Sequence, residues 1–195
     1  MNVTSEKQIQ ELKDRATATA VELFARRSVD NVSVQEICKA SGITKPTFYK
    51  YLSSKETLLL HYYRHALEEM EKAWDDCSES SDYVGQILYI VRVTVQTEEK
   101  NGPDLLAKYL IYSFKRAETI EWDNTPSWKK MVFTIEQAQN THQIANSGNP
   151  ELIARGLQNI LLSLRSAWAR SRGGFALGEI CEEESRAFLR PVKNG

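Results

Sequence analysis

The sequence predicts an all-α fold of about nine helices, and three observations lead to this prediction. Apolar residues recur at spacings of three and four along most of the chain, which is the period of an amphipathic helix. The 195 residues include only 5 prolines and 9 glycines, so long helices are seldom interrupted. No segment has the alternating pattern of a strand. The expected helices are 6–27, 33–40, 44–51, 56–77, 83–97, 104–115, 127–146, 151–172 and 177–189.

The composition excludes several classes of protein. Three widely spaced cysteines, Cys38, Cys77 and Cys181, fit neither a disulfide framework nor a zinc cluster. The polar, charged first 15 residues do not resemble a signal peptide. No apolar run approaches the roughly 20 residues that a membrane span requires. We therefore expect a cytoplasmic protein that has no contact with the membrane.

The charge is distributed unevenly, although the net charge is only -1. Residues 1–61 contain nine Lys or Arg against seven Asp or Glu, a balance of +2, whereas residues 62–195 contain sixteen against nineteen, a balance of -3. The segment 37–55 has four lysines and no acidic residue. A local patch of one sign is what a phosphate backbone attracts, whatever the total charge.

Short segments with the residue types of helix ends separate the first four helices. Ser and Glu at the ends of 33–36 have the spacing of a capping box, and the same pattern recurs at 53–56, before the long fourth helix. The turn 41–43 contains a glycine that can end a helix in the left-handed conformation. Thr44 is a suitable N-cap, and Pro46 follows in the first turn, where a missing N–H costs little.

Two short helices joined by a three-residue turn at 32–52 indicate a helix-turn-helix unit. Helices connected this tightly cross steeply, so the second one is exposed and fits the major groove of DNA. The alternative is a helical hairpin inside a core, but a helix this short and polar would bury little apolar surface. The exposed helix offers hydroxyl, ammonium and short apolar groups suited to DNA, from Thr44, Lys45, Pro46, Thr47, Tyr49 and Lys50.

The segment LFARRSVDNVSVQEICKASGITKPTFYKYLSSKETLL resembles the N-terminal domain of TetR-family repressors. The resemblance covers about residues 9–62, in register and without a gap. The positions that match are Phe24, Ile37, Gly42, Ile43, Thr47, Tyr49, Tyr51, Lys55, Glu56 and Leu58.

The resemblance implies roles for individual residues. Gln35 is expected to read a base, since its amide can pair with adenine through two hydrogen bonds. Thr44 caps the second helix and can also touch the DNA backbone. Ser28 stands where the family usually has glycine, and Val34 stands where a hydroxyl residue often meets a phosphate. The other expected contacts are to phosphates from Thr47, Tyr49 and Lys55, and to base edges from Lys45 and Pro46.

The resemblance also implies two domains, a DNA-binding domain over 1–55 and a ligand-binding and dimerisation domain over 56–195. The helices 151–172 and 177–189 are expected to pair with those of a second copy, because a protein that reads a palindromic operator needs two reading heads. The expected activity is that of a repressor that leaves double-stranded DNA when a small apolar or aromatic inducer binds. Candidate pocket residues are Trp74, Tyr109 and Tyr112, with ordinary core packing as the alternative for each.

Other functions are less well supported. His61 and His65 are four residues apart on a helix, a spacing that can hold a metal, so a metal-responsive regulator is one alternative; a surface or interface pair is the interpretation that we prefer. A helical protein that binds small molecules without DNA is another. No nucleophile motif or Gly-rich phosphate loop indicates an enzyme, and no cofactor is expected.

Overall fold

The computed structural model describes residues 3–116 and 125–192, with the side chains of 6–115 and 125–192. The prediction of an all-α fold is confirmed, since these ranges contain helices and, apart from them, a single isolated bridge between Ile144 and Pro191. None of the described helices is both long enough and apolar enough to cross a membrane. The helices are α1 (Val3–Arg27), α2 (Val34–Ser41), α3 (Lys45–Leu52), α4 (Lys55–Cys77), α5 (Tyr83–Asn101), α6 (Pro103–Arg116), α7 (Pro126–Asn140), α8 (Pro150–Arg170) and α9 (Leu177–Leu189).

The start of α4 differs from the prediction. Ser53 does not cap this helix, because it ends α3 with a φ of 61° and so lacks the extended backbone of an N-cap. The next residue takes the role: Oγ of Ser54 accepts a hydrogen bond from the backbone N–H of Thr57 at 3.2 Å. The predicted second capping box is therefore wrong, and the cap lies one residue further along the chain.

The end of α7 also differs from the prediction, which placed it near residue 146. The helix ends at Asn140, and His142 adopts a φ of 55°. The segment that follows is used for hydrogen bonds instead: Oε1 of Gln143 accepts from the backbone N–H groups of Tyr83 and Val84 at 2.9 and 3.3 Å. Gln143 thereby satisfies two of the donors that every helix N-terminus leaves open, here those of α5.

The helices divide into two compact units. The first contains α1, α2, α3, the beginning of α4 as far as His65, and α6 from Asp104 onward. Its core is built from apolar side chains of all five helices, among them Phe24, Ile37, Phe48, Leu59 and Leu105.

The second unit contains the rest of α4 together with α5, α7, α8 and α9. Helix α5 packs against α7 and α9, and α8 packs against the same two helices. Ile87, Ile135, Leu157 and Leu189 are completely or almost completely buried at the centre of this arrangement. The division of the sequence at residue 55 by function stays a prediction.

Candidate DNA-binding surface

Helix α2 is fixed at its N-terminus by the capping box predicted from the sequence. The Ser33 hydroxyl accepts from the backbone N–H of Glu36 at 3.2 Å, and the Glu36 carboxylate accepts from the backbone N–H of Ser33 at 2.9 Å. Arg27 adds an ion pair to the same carboxylate at 2.7 Å. The backbone N–H of Ser33, followed by the Arg27 guanidinium, lowers the pKa of Glu36 to about 2. This helix therefore starts at a defined residue and stays capped at neutral pH.

The turn between α2 and α3 has the predicted glycine geometry. Gly42 adopts a φ of 69°, and the backbone N–H of Ile43 donates to the carbonyl of Cys38 at 3.0 Å. Nε of Arg15, from α1, donates to the carbonyl of Ser41 at 3.1 Å. The turn is thus tied both to the helix before it and to α1, and sequence reasoning did not predict the second of these contacts.

Helix α3 presents a polar face because its apolar residues point into the core. Phe48 and Leu52 are completely buried. Thr44 accepts from the backbone N–H of Thr47 at 3.3 Å and caps the helix, as predicted. On the outer face Tyr49 is 56% exposed, and the Nζ of Lys50 lies 4.8 Å from the ring centre of Tyr51.

The structure brings most of the predicted DNA contacts to the exterior of one helix pair. Gln35 lies exposed on α2, and Thr47 is half-buried on α3. The exposed residues at the N-cap and on α3 are Thr44, Lys45, Pro46, Tyr49 and Lys50. Ser28, which stands where the family usually has glycine, has a φ of 67°, a conformation that glycine adopts easily. Val34 is half-buried and packs against the core of the first unit, and it has no hydroxyl group that could contact a phosphate.

Lys55 has a different environment from the other predicted contacts. It is half-buried at the start of α4. Its Nζ donates to the backbone carbonyls of Val29, Asp30 and Val32 at 2.7, 3.5 and 3.2 Å. These three carbonyls belong to the turn between α1 and α2, so the ammonium group faces protein atoms. Asp30 in the same turn forms an ion pair with Lys108 of α6, which sequence reasoning missed as well.

The predicted pocket residues lie in different units. In the first unit the ring of Tyr109 stacks on that of Tyr63 with 3.5 Å between centroids, and Tyr112 is half-buried. In the second unit Trp74 is 3% exposed and packs with Met70, among others. Its indole Nε1 is buried and has no hydrogen-bond partner among the described residues.

The histidine pair has no metal-binding geometry in the part of the chain that the structure describes. Nε2 of His65 lies 2.9 Å from Oδ1 of Asp14 on α1. His61 is half-buried, and burial, then the charges of Lys13 and Arg64, lower its pKa. Among the described residues no group of three or more His, Cys, Asp or Glu side chains could hold a metal ion.

Comparison with known proteins agrees with the geometry of the first unit. Residues 16–62 match the model of a family described as bacterial regulatory proteins, tetR family. The segment 16–62 is therefore a tetR-family domain. The HTH-type transcriptional regulator EthR of Mycolicibacterium smegmatis is 35% identical over 63 residues, which are 32% of this chain and 29% of that protein. The chain thus matches less than a third of this relative's length, and the match supports the N-terminal domain only.

Three further proteins are similar to part or all of this chain. The uncharacterized HTH-type transcriptional regulator YuxN of Bacillus subtilis is 52% identical over 42 residues, 22% of this chain and 14% of that protein. Among solved structures, the tetR-family repressor FadR of Thermus thermophilus in complex with lauroyl-CoA has a TM-score of 0.61 at 21% identity, and the comparison covers 94% of this chain and 100% of that one. A tetR-family regulator of Pectobacterium atrosepticum has a TM-score of 0.70 at 16% identity, covering 96% and 97%. The likeness of fold therefore spans both units.

Proposed function

We propose that this protein is a transcriptional repressor that binds a palindromic DNA operator as a homodimer and leaves it when a small apolar or aromatic ligand binds. The observation that carries the proposal is helix α3, which buries Phe48 and Leu52 and turns Lys45, Tyr49 and Lys50 outward. A capped and anchored helix with a polar, basic outer face is suited to enter the major groove. Binding to DNA would place the protein in the cytoplasm.

The chemistry of this face supports a division between backbone and base contacts. Lys50 and the hydroxyl groups of Thr47 and Tyr49 suit phosphate oxygens, which position a protein on DNA without reading its sequence. Gln35 and Lys45 can donate to base edges in the major groove. Recognition would then depend on few base contacts, because α3 contains no arginine.

The dimer is supported by the exposed apolar surface of α8. Leu152 is 66% exposed and Leu162 is 42% exposed. Large aliphatic side chains on one helix are a candidate surface for a second copy. The homodimer that we propose uses 151–172 and 177–189, and it would present two α3 helices to the two halves of a palindrome.

The proposed ligand combines an apolar body with a hydrogen-bond acceptor. Trp74 lies in an apolar cluster with Met70, Ala73 and Ile90, against which Met131 also packs. A buried indole N–H without a partner is unfavourable, so a ligand that supplies an acceptor there would gain a hydrogen bond. Methionine side chains adapt easily to a new neighbour. The lauroyl-CoA bound to the Thermus thermophilus FadR is a ligand of this general kind, with an apolar chain and carbonyl acceptors.

The DNA-binding proposal is tested by fluorescence anisotropy with labelled DNA from immediately upstream of the gene for this protein. We expect binding that weakens as salt rises from about 50 to 200 mM. Tyr49→Ala should weaken it, whereas Tyr89→Ala, which changes a tyrosine that is 43% exposed in the second unit, should not. Absence of binding at low salt, or equal binding by the Tyr49→Ala variant, would refute the proposal. A protein that only binds small molecules would give the first of these results.

A further inference from the structure

The ammonium group of Lys55 donates its hydrogen bonds to backbone carbonyls of the protein itself. A lysine ammonium has three donors and no acceptor, and three backbone carbonyls lie within 3.5 Å of this one. The distances from Nζ of Lys55 to the carbonyl oxygens of Val29 and Val32 are the two shorter ones, 2.7 and 3.2 Å. An exposed phosphate-binding lysine would instead direct these donors to solvent and to DNA.

Among the described residues, the backbone N–H of Val32 is the one other donor to these three carbonyls, and it is distant. The backbone hydrogen bonds of the turn that receives Lys55 are long, with Val32 N–H to the Val29 carbonyl at 3.5 Å and Asn31 N–H to the Ser28 carbonyl at 3.3 Å. The side chains of Val29 and Val32 are 2% and 0% exposed, so the turn is held against the core. A positive charge beside these carbonyls is also favourable because the C-terminal end of α1 carries partial negative charge.

A second lysine holds the same turn from another helix. Lys108 of α6 forms an ion pair with the carboxylate of Asp30. The hydrogen bond from Lys108 is the largest cause of a lowered pKa at Asp30, so this carboxylate stays ionised. The turn leads directly to Ser33, the N-cap of α2. Its position therefore sets where α2 begins and, through the turn at Gly42, where α3 lies.

We propose that Lys55 is a positioning residue for DNA binding: its ammonium group fixes the turn between α1 and α2 and neutralises no phosphate. This proposal rests on the proposed function, since it concerns how the reading helices are held for DNA. It assigns Lys55 a role different from the phosphate contact that the family resemblance implies.

The salt dependence of DNA binding distinguishes the two roles. Each lysine that neutralises a phosphate contributes about 0.9 to the slope of log affinity against log salt, whereas a positioning residue contributes nothing to that slope. We would measure anisotropy for the wild type, Lys55→Met and Lys50→Met on the upstream DNA, cut to about 30 base pairs, which is long enough for two half-sites. Lys55→Met should lose affinity by about tenfold or more at every salt concentration. Its slope should equal that of the wild type, and the slope of Lys50→Met should be lower by about 0.9.

Three results would overturn the positioning role. The first is a Lys55→Met slope reduced by about as much as that of Lys50→Met. The second is an unchanged affinity. If Lys55→Met does not fold, Lys55→Arg decides, because it keeps the charge but not the compact ammonium that fits three carbonyls. Reduced affinity of Lys55→Arg with an unchanged slope would support the proposal. Wild-type affinity of Lys55→Arg is the third result that would overturn it. Absence of wild-type binding to DNA would refute the proposed function itself.

Discussion

Arg165 on α8 donates from Nη2 to Oε1 of Glu98 on α5 at 2.6 Å, and this ion pair lies inside the second unit. The Glu98 side chain is only 2% exposed and that of Arg165 is 14% exposed. Burial raises the pKa of Glu98, and the positive charge of Arg165 opposes that rise. The other carboxylate oxygen, Oε2, is buried and has no hydrogen-bond partner in the part of the chain that the structure describes. The charge on Glu98 therefore depends mainly on Arg165.

Replacing Arg165 with methionine should destabilise the protein strongly. The variant leaves a buried carboxylate without its counter-charge, which typically costs about 3–5 kcal/mol of unfolding free energy. The loss should be smaller at lower pH, because protonation removes the unpaired charge. Urea denaturation at fixed protein concentration measures both effects.

A surface ion pair provides the control for this experiment. Arg92 donates to Glu182 at 2.9 Å, but its side chain is 54% exposed. Arg92→Met should therefore cost less than about 1 kcal/mol. An equal loss in the two variants would show that burial does not decide the strength of the Glu98 pair.

The neighbouring residues Phe48 and Tyr49 should separate stability from DNA binding. Their rings pack edge to face with 5.5 Å between the ring centroids. Phe48 is nevertheless 0% exposed, whereas Tyr49 is 56% exposed. Phe48→Ala should lower the unfolding free energy by about 3–5 kcal/mol through the cavity that it creates. Tyr49→Ala should lower it by less than about 1 kcal/mol and should weaken DNA binding. Thermal unfolding and anisotropy on the same samples check both statements, and a large loss of stability in Tyr49→Ala would contradict them.

His61 should make the first unit less stable in mildly acidic solution. Its pKa is lowered from 6.5, first by burial and then by Lys13, Arg64 and His65, with Asp14 opposing. Above pH 6.5 the histidine is neutral in both folded and unfolded chains, so its contribution to stability is complete. As the pH falls below that value the unfolded chain takes up the proton first, and stability declines until the folded-state pKa is passed.

The His61→Gln variant should remove part of this pH dependence. We expect the loss of unfolding free energy between about pH 7.5 and pH 5.5 to be smaller in His61→Gln than in the wild type. If His61→Gln lost as much stability on acidification as the wild type, the buried histidine would not be the cause.

Sequence reasoning succeeded where the determinants are local. The cap at Ser33, the left-handed Gly42 and the cap at Thr44 each depend on residues within a few positions, and the structure confirms all three. Sequence reasoning chose the wrong one of two adjacent serines as the N-cap of α4. The two serines have equal capping chemistry, and only the backbone geometry at the end of α3 distinguishes them. The all-α architecture followed from the apolar periodicity, the few prolines and glycines, and the absence of a strand pattern.

Contacts between distant parts of the chain could not be predicted. Lys55 and the carbonyl of Val29 are 26 residues apart, and Lys108 and Asp30 are 78 apart. No periodicity or motif marks such pairs, since a lysine on a helix usually faces solvent. Family resemblance assigned Lys55 a role by position, but only its surroundings in the folded chain show which groups its ammonium contacts.

Two buried tryptophans in the second unit offer a matched test of the unpartnered indole. Trp74 and Trp168 are 3% and 5% exposed. Within residues 6–115 and 125–192, Nε1 of Trp168 has a partner, the carbonyl of Phe175 at 2.9 Å, and Nε1 of Trp74 has none. Phenylalanine removes the N–H at either position and keeps an aromatic ring. Trp168→Phe loses a hydrogen bond and leaves a carbonyl unsatisfied, whereas Trp74→Phe loses no hydrogen bond. We therefore expect Trp74→Phe to cost less unfolding free energy, by about 1 kcal/mol.

The same pair of variants then tests whether Trp74 recognises the ligand. Once a compound that releases the protein from DNA is found, Trp74→Phe should require more of it for half-release than the wild type, by about fivefold to tenfold for one lost hydrogen bond. Trp168→Phe should respond like the wild type. The hydrogen-bond acceptor proposed for the ligand would be refuted if Trp74→Phe were as sensitive as the wild type, or if it were destabilised in the absence of ligand as much as Trp168→Phe, since the indole N–H would then already have a partner.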